Sequence, residues 1–131
     1  MVIDPSALLQ ILLGEPGAAD TLRLLLATDD AVVTAPGLLE AEIAFAARSG
    51  LPAATVERLV ERLGARVVPF GPEHVTEARR AFERFGAPSG HRAQLSAGDC
   101  VHYAVARVEG RALAFTGDRL VHTDLDQMRT G

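Results

Sequence analysis

The chain has 131 residues, 48% of them apolar, and a net charge of −4 from 17 acids and 13 bases. That length supports one domain, residues 1–131, with a real core. The acidic balance argues against a general nucleic-acid coat, although carboxylates that hold a metal also count as negative. No apolar run approaches the roughly 18 residues of a membrane span. The start is too polar, and lacks the basic leader, for a signal peptide. The single cysteine, Cys100, has no internal partner, so a soluble cytoplasmic protein with no membrane association is expected.

In chain order, "MVI" reads as a short buried strand ending at Asp4. "SALLQILLG" reads as a helix with Ser6 as a candidate cap and Gly14 as stop, and "GAADTLRLLLAT" as a second helix. "AVVTAP" reads as a strand broken at Pro36, "GLLEAEIAFAARSG" as a helix closed by Gly50, and "PAATVERLVERLG" as another. "RVVPF" is strand-like, and "PEHVTEARRAFERFG" is a helix with Glu and Arg on its exposed face. "APSGHRAQLSAG" is a polar loop, "DCVHYAVARVEG" a helix, "ALAFTG" a strand, and "DRLVHTDLDQMRTG" a polar tail. Short β-branched strands alternating with helices predict a mostly parallel sheet covered on both faces. Ligands of such sheets sit outside the carboxyl ends of the strands.

Four acids stand out against that frame. Asp4 ends the first strand, Asp118 follows Gly117 after the last, Asp99 opens a helix, and Glu40 interrupts the apolar run "LLEAEIAFAA". Singly, each has a plain explanation: Asp4 and Asp99 as helix caps, Asp118 as a turn residue, Glu40 as a solvated helix position. Jointly, carboxylates held together raise one another's pKa, and a hard divalent cation with oxygen ligands, Mg²⁺ or Mn²⁺, relieves that. Phosphodiester hydrolysis is the chemistry best matched to such a set. Glu42 competes with Glu40. Glu40 shares its stripe with Gly37, Ala44 and Ala47, which would allow close approach to the sheet end, but periodicity leaves both open.

These stretches resemble a PIN-domain ribonuclease of the VapC toxin type along essentially the whole chain. "MVIDPSALL" resembles the family's opening strand, Asp and Ser-Ala helix, and "APGLLEAEI" its second acidic motif. "SAGDCVHYAVAR" resembles its Gly-Asp-Cys helix and "LAFTGDRLVHTDL" its closing strand. The resemblance implies a three-layer α/β/α sandwich with a central, mostly parallel sheet. It also implies Mg²⁺- or Mn²⁺-dependent cleavage of RNA, a homodimer, and neutralisation by a VapB-like antitoxin. Asp4, Glu40, Asp99 and Asp118 carry over as the acidic quartet, expected within coordination reach of one another directly or through water, with Asp4 and Asp99 holding the metal. Ser6 is implied as a hydrogen-bonding neighbour. Three positions depart from the family's pattern: Pro5 where Thr or Ser is usual, Ser96 where Asn is frequent, and Arg119 where a second acid often follows the closing Gly-Asp.

Other residues carry weaker readings. Arg92 and His91 are either ordinary loop residues or phosphate contacts. Arg79, Arg80 and Arg84 with Glu77 and Glu83 read as a salt-bridged, solvated face. His122 reads as a phosphate contact or a structural hydrogen bond, and Cys100 as core. His74 and His102 sit in no pattern that singles them out. Arg119 is expected to point outward, where a long cationic side chain reaches solvent or RNA phosphate. The leucine-rich first two helices suggest an apolar groove for an amphipathic partner segment. Aromatic residues make up only 5% of the chain, which excludes an extended base-stacking platform. All 13 bases are Arg, and the residue two after Asp4 is Ser6. A receiver domain and a haloacid-type phosphatase both want a Lys, and the latter Asp-x-Asp, so both fall away. The second reading is a PIN fold that binds RNA or an antitoxin-like protein without cutting.

Overall fold

A computed structural model describes residues 1–125 in full and 127–129 as a strand. Five strands form one wholly parallel sheet: β1 (Val2–Ile3), β2 (Val32–Thr34), β3 (Arg66–Val68), β4 (Leu113–Phe115) and β5 (Gln127–Arg129), in the spatial order β3-β2-β1-β4-β5. Six helices connect them: α1 (Pro5–Leu12), α2 (Ala18–Leu26), α3 (Ala35–Ser49), α4 (Ala54–Arg62), α5 (Pro72–Phe85) and α6 (Ala97–Glu109).

The period of two along the strands divides the core. Val2, Val32, Leu113 and Phe115 pack on one face with Phe85, Tyr103 and Val105 of α5 and α6. Ile3, Val33 and Ala114 point the other way, against Leu8, Leu25, Phe45, Val56 and Val60 of α1 to α4. Successive strand residues face opposite sides, so strands of two or three residues suffice to seed both cores. The result is the expected α/β/α sandwich.

Three local readings shift. Helix α3 begins at Ala35, not after the proline: Pro36 lies in its first turn, and Thr34 caps it by accepting the Gly37 N–H. Proline needs no N–H there. The tail expected to be merely polar forms a 3-10 turn at Leu120–His122 and then β5, which extends the sheet beside β4. The polar tail gives no period-two apolar signal, and pairing with an existing edge supplies the order instead. The Glu/Arg face of α5 is only partly self-paired: Arg80 meets Glu77 at 3.7 Å, whereas Arg84 reaches Asp124 at 3.0 Å.

The chain leaves β1 toward β2 and β3 on one side, then crosses to β4 and β5 on the other. β1 and β4 therefore flank the point where strand order reverses, the usual position of a ligand crevice in an open parallel sheet. Among the described residues no helix is long and apolar enough to cross a membrane.

Candidate active site

At that crevice lies a cleft of about 230 Å³ lined by Asp4, Ser6, Glu40, Asp99, His102, Asp118 and Arg119. Each acid arrives on a different element. Asp4 is both a cap and a cleft residue: it terminates β1, its Oδ2 accepts the Ser6 N–H at 2.9 Å, and Pro5 follows as the first residue of α1. Ser6 ties two strand ends together, because its Oγ also accepts the Thr116 N–H, just past β4, at 3.0 Å. Asp4 is only 6% exposed. Burial pushes its carboxyl above the usual range, opposed by His102 and by the Ser6 hydrogen bonds.

Asp99 is not the cap of α6. Ser96 is, its Oγ accepting the Asp99 N–H at 3.2 Å while Asp99 Oδ2 accepts the Ser96 N–H at 2.9 Å. This reciprocal pair fixes the carboxylate at the cleft wall. Asp118 is exposed on the cleft rim, carried there by the turn at Gly117, whose φ of +90° suits glycine.

The two glutamates differ in position. Glu40 lines the cleft, where its Oε2 lies 3.0 Å from Nε2 of His102. That hydrogen bond holds its carboxyl below the usual value. Glu42 faces Glu57 of α4, and burial together with that like charge pushes its carboxyl upward. It is not part of the cleft. Arg92 is exposed on the loop before α6 and also does not line it. His122 sits in the 3-10 turn beyond the rim, half-buried, its N–H donated to the Arg119 carbonyl at 3.2 Å.

Arg119 corrects a further expectation. It turns inward, with Nε 3.2 Å from Asp99 Oδ2 and Nη2 3.5 Å from Oδ1. The nearest counter-charge on the rim outweighs solvation of a guanidinium that stays 59% exposed. His102, passed over in the sequence, forms part of the cleft wall at 2% exposure. The available signal was its place three residues after Asp99, on the same helix face. Cys100 is buried as expected, its thiol raised to about 11 by burial and by Asp99.

The acids share one cleft but do not preassemble as a cage. Among the described residues no three of His, Cys, Asp and Glu are grouped so as to hold a metal ion by themselves. Arg119 engages Asp99 and His102 engages Glu40, drawing the carboxylates to separate partners. The donor set still fits a hard divalent cation. It is all oxygen, it includes a buried carboxylate destabilised by its own charge, and Mg²⁺ is commonly held by only one or two carboxylates with waters completing its shell.

Comparison with known proteins bears on family and fold. The PIN domain family profile matches residues 1–125. Ribonuclease VapC36 of Mycobacterium tuberculosis is 37% identical over 128 residues, covering 96% of this chain and 91% of that protein. Among solved structures, Mycobacterium tuberculosis VapC20, described as a sarcin–ricin loop cleaving toxin, matches with a TM-score of 0.71 at 22% identity, covering 92% of both chains. A toxin–antitoxin complex from Klebsiella pneumoniae matches with a TM-score of 0.71 at 10% identity, over 97% of this chain and 94% of that one. The two structural likenesses speak for the fold. The sequence match over nearly the full length goes further, and with it the chain belongs to the PIN-domain family, in its VapC-type branch.

Proposed function

We propose that the protein is a metal-dependent endoribonuclease acting in the cytoplasm as the toxin of a toxin–antitoxin pair. The observation that carries this reading is the convergence of Asp4, Glu40, Asp99 and Asp118, from four separate segments, on one cleft at the strand ends. The full-length likeness to a named ribonuclease supports it. Asp4 and Asp99 would hold Mg²⁺ or Mn²⁺, which when bound supplies Lewis-acid polarisation of a phosphoryl oxygen and a more acidic water. Ser6 steadies Asp4 and joins the ends of β1 and β4. Glu40, kept ionised by its hydrogen bond from His102, orients the attacking water and accepts its proton. Arg119 is long enough to leave Asp99 for an RNA phosphate oxygen. A VapB-like antitoxin partner is supported by the likeness to a toxin–antitoxin complex. A homodimer belongs to the same reading and is checked by light scattering at micromolar concentration.

The test is cleavage of single-stranded RNA with Mg²⁺ or Mn²⁺, with excess EDTA, and with Asp99→Asn. Cleavage is expected only for the wild type with the cation, and only the wild type should slow growth of a bacterial host. Activity that survives EDTA would defeat the metal mechanism. Folded protein that binds RNA and cuts none under any cation would favour the non-cutting reading.

A further inference from the structure

A chain of hydrogen bonds runs beneath the cleft. Thr34, at the end of β2, accepts the Gly37 N–H through Oγ1 at 2.8 Å, and the same oxygen lies 3.2 Å from Nδ1 of His102. Nε2 of His102 lies 3.0 Å from Glu40 Oε2. A carboxylate only accepts, so Nε2 donates to Glu40, and in the neutral ring Nδ1 takes the hydrogen of the Thr34 hydroxyl. Each partner's role is then fixed by the next.

The space for this ring is built. A Cβ at residue 37 would lie 2.9 Å from His102 Cε1 and 2.7 Å from Thr34 Oγ1, so glycine at this point of α3 lets α6 bring the imidazole in. Gly98 plays the matching part on α6: a Cβ there would stand 3.2 Å from Glu40 Oε1. A buried histidine can satisfy both nitrogens on backbone groups. Here one nitrogen instead fixes a long side chain that is half exposed at the cleft.

We infer that His102 is a positioning residue for Glu40: with Thr34 it fixes the carboxylate through Oε2, leaving Oε1, beside Gly98, as the oxygen that serves the cleft. The catalytic consequence rests on the nuclease reading above. The positioning itself does not, and the experiment separates the two.

Wild type, His102→Gln and His102→Ala are compared in three readouts: the ring tautomer from ¹⁵N shifts, the Glu40 side-chain rotamer from NMR couplings, and kcat and KM on single-stranded RNA with Mn²⁺. Expected are an Nε2–H tautomer and one dominant Glu40 rotamer in the wild type, and rotamer averaging in His102→Ala. The alanine variant should lose kcat by about 10- to 100-fold, the size of effect found when a hydrogen-bond partner is removed from a metal ligand, with KM nearly unchanged. His102→Gln, whose amide N–H can stand in for Nε2–H, should recover most of the rotamer and of kcat. Should His102→Ala fail to fold, His102→Asn, too short to reach Glu40, takes its place. An Nδ1–H tautomer, or an unchanged Glu40 rotamer without the imidazole, would overturn the inference. So would wild-type kcat in a folded His102→Ala. A wild type that cuts no RNA, yet loses its Glu40 rotamer in His102→Ala, would defeat the nuclease reading and uphold the positioning.

Discussion

Asp4 combines two roles that pull in opposite directions. Its side chain caps α1, which stabilises the fold, while burial raises its carboxyl, which makes the ionised form costly. A carboxyl raised on folding contributes stability that is fully present below its ordinary value of 3.8 and is lost as pH rises through the folded value. Asp4→Asn keeps a good cap and removes the charge. In chelator at neutral pH it should melt above wild type, by roughly 4 °C for each kcal/mol recovered, and the gap should close on acidification. A lower melting temperature would show that the acid is held by partners worth more than its burial costs. Glu40 has the opposite sign: its hydrogen bond from His102 stabilises above the ordinary value of 4.5 and is lost as pH falls through the depressed one. Arg119 gives the second test at this scale. Two unit charges about 4 Å apart in water interact by roughly 1 kcal/mol, about doubled for a divalent ion. Arg119→Ala removes both that repulsion and the competing partner of Asp99. Calorimetric titration should show Mn²⁺ binding tighter by on the order of tenfold, and unchanged affinity would mean that the ion pair does not compete.

The crossing of α3 over α6 decides the shape of the cleft floor. In an open helix Gly37→Ala would gain up to about 1 kcal/mol from helix propensity. Here the added methyl would meet Thr34 Oγ1 and His102 Cε1 at 2.7 and 2.9 Å. Both groups are buried and hydrogen-bonded, so neither can yield without losing a partner. Overpacking of this kind costs about 1–3 kcal/mol and should win. Urea denaturation is expected to show a lower midpoint for Gly37→Ala, with a disturbed His102 imidazole signal. A higher midpoint would mean that the helices move apart freely. The start of α6 shows the reverse situation: the Ser96–Asp99 pair lies within one turn, at the spacing of a capping box, so its signal is local even though Asp99 itself reads as a cap in the sequence.

At the scale of the whole molecule, Asp124 ties the segment after β4 to two helices. Asp124 accepts the Tyr103 hydroxyl at 2.7 Å and pairs with Arg84 at 3.0 Å and Arg107 at 3.6 Å, so α5 and α6 both anchor the approach to β5. Asp124→Ala leaves the hydroxyl of a buried tyrosine without its acceptor, at a cost of about 1–3 kcal/mol. A lower melting temperature and faster amide exchange in β4 are expected, and unchanged exchange would show that the strand pairing holds the segment unaided. The exposed apolar surface is spread over more than the first two helices. Most leucines of α1 are half-buried against their own core. The most exposed large apolar side chains include Leu39 and Ile43 of α3 and Leu26 of α2.

The sequence by itself determined what short-range physics controls. Strand ends marked by Asp4 and by Gly117-Asp118, helix stops at glycines, and the alternation of strand and helix follow from residues a few positions apart. So does the layering, because Val2 and Ile3 must face opposite sides. Tertiary structure decided what depends on partners far along the chain. Glu40 rather than Glu42 enters the cleft because His102 meets it from 62 residues away. Arg119 turns inward because Asp99 stands across the rim, 20 residues before it. β5 forms because β4 offers a paired edge that no property of the tail announces. Backbone preference is a local quantity, whereas the direction of a long polar side chain is set by whichever charge the fold brings nearest.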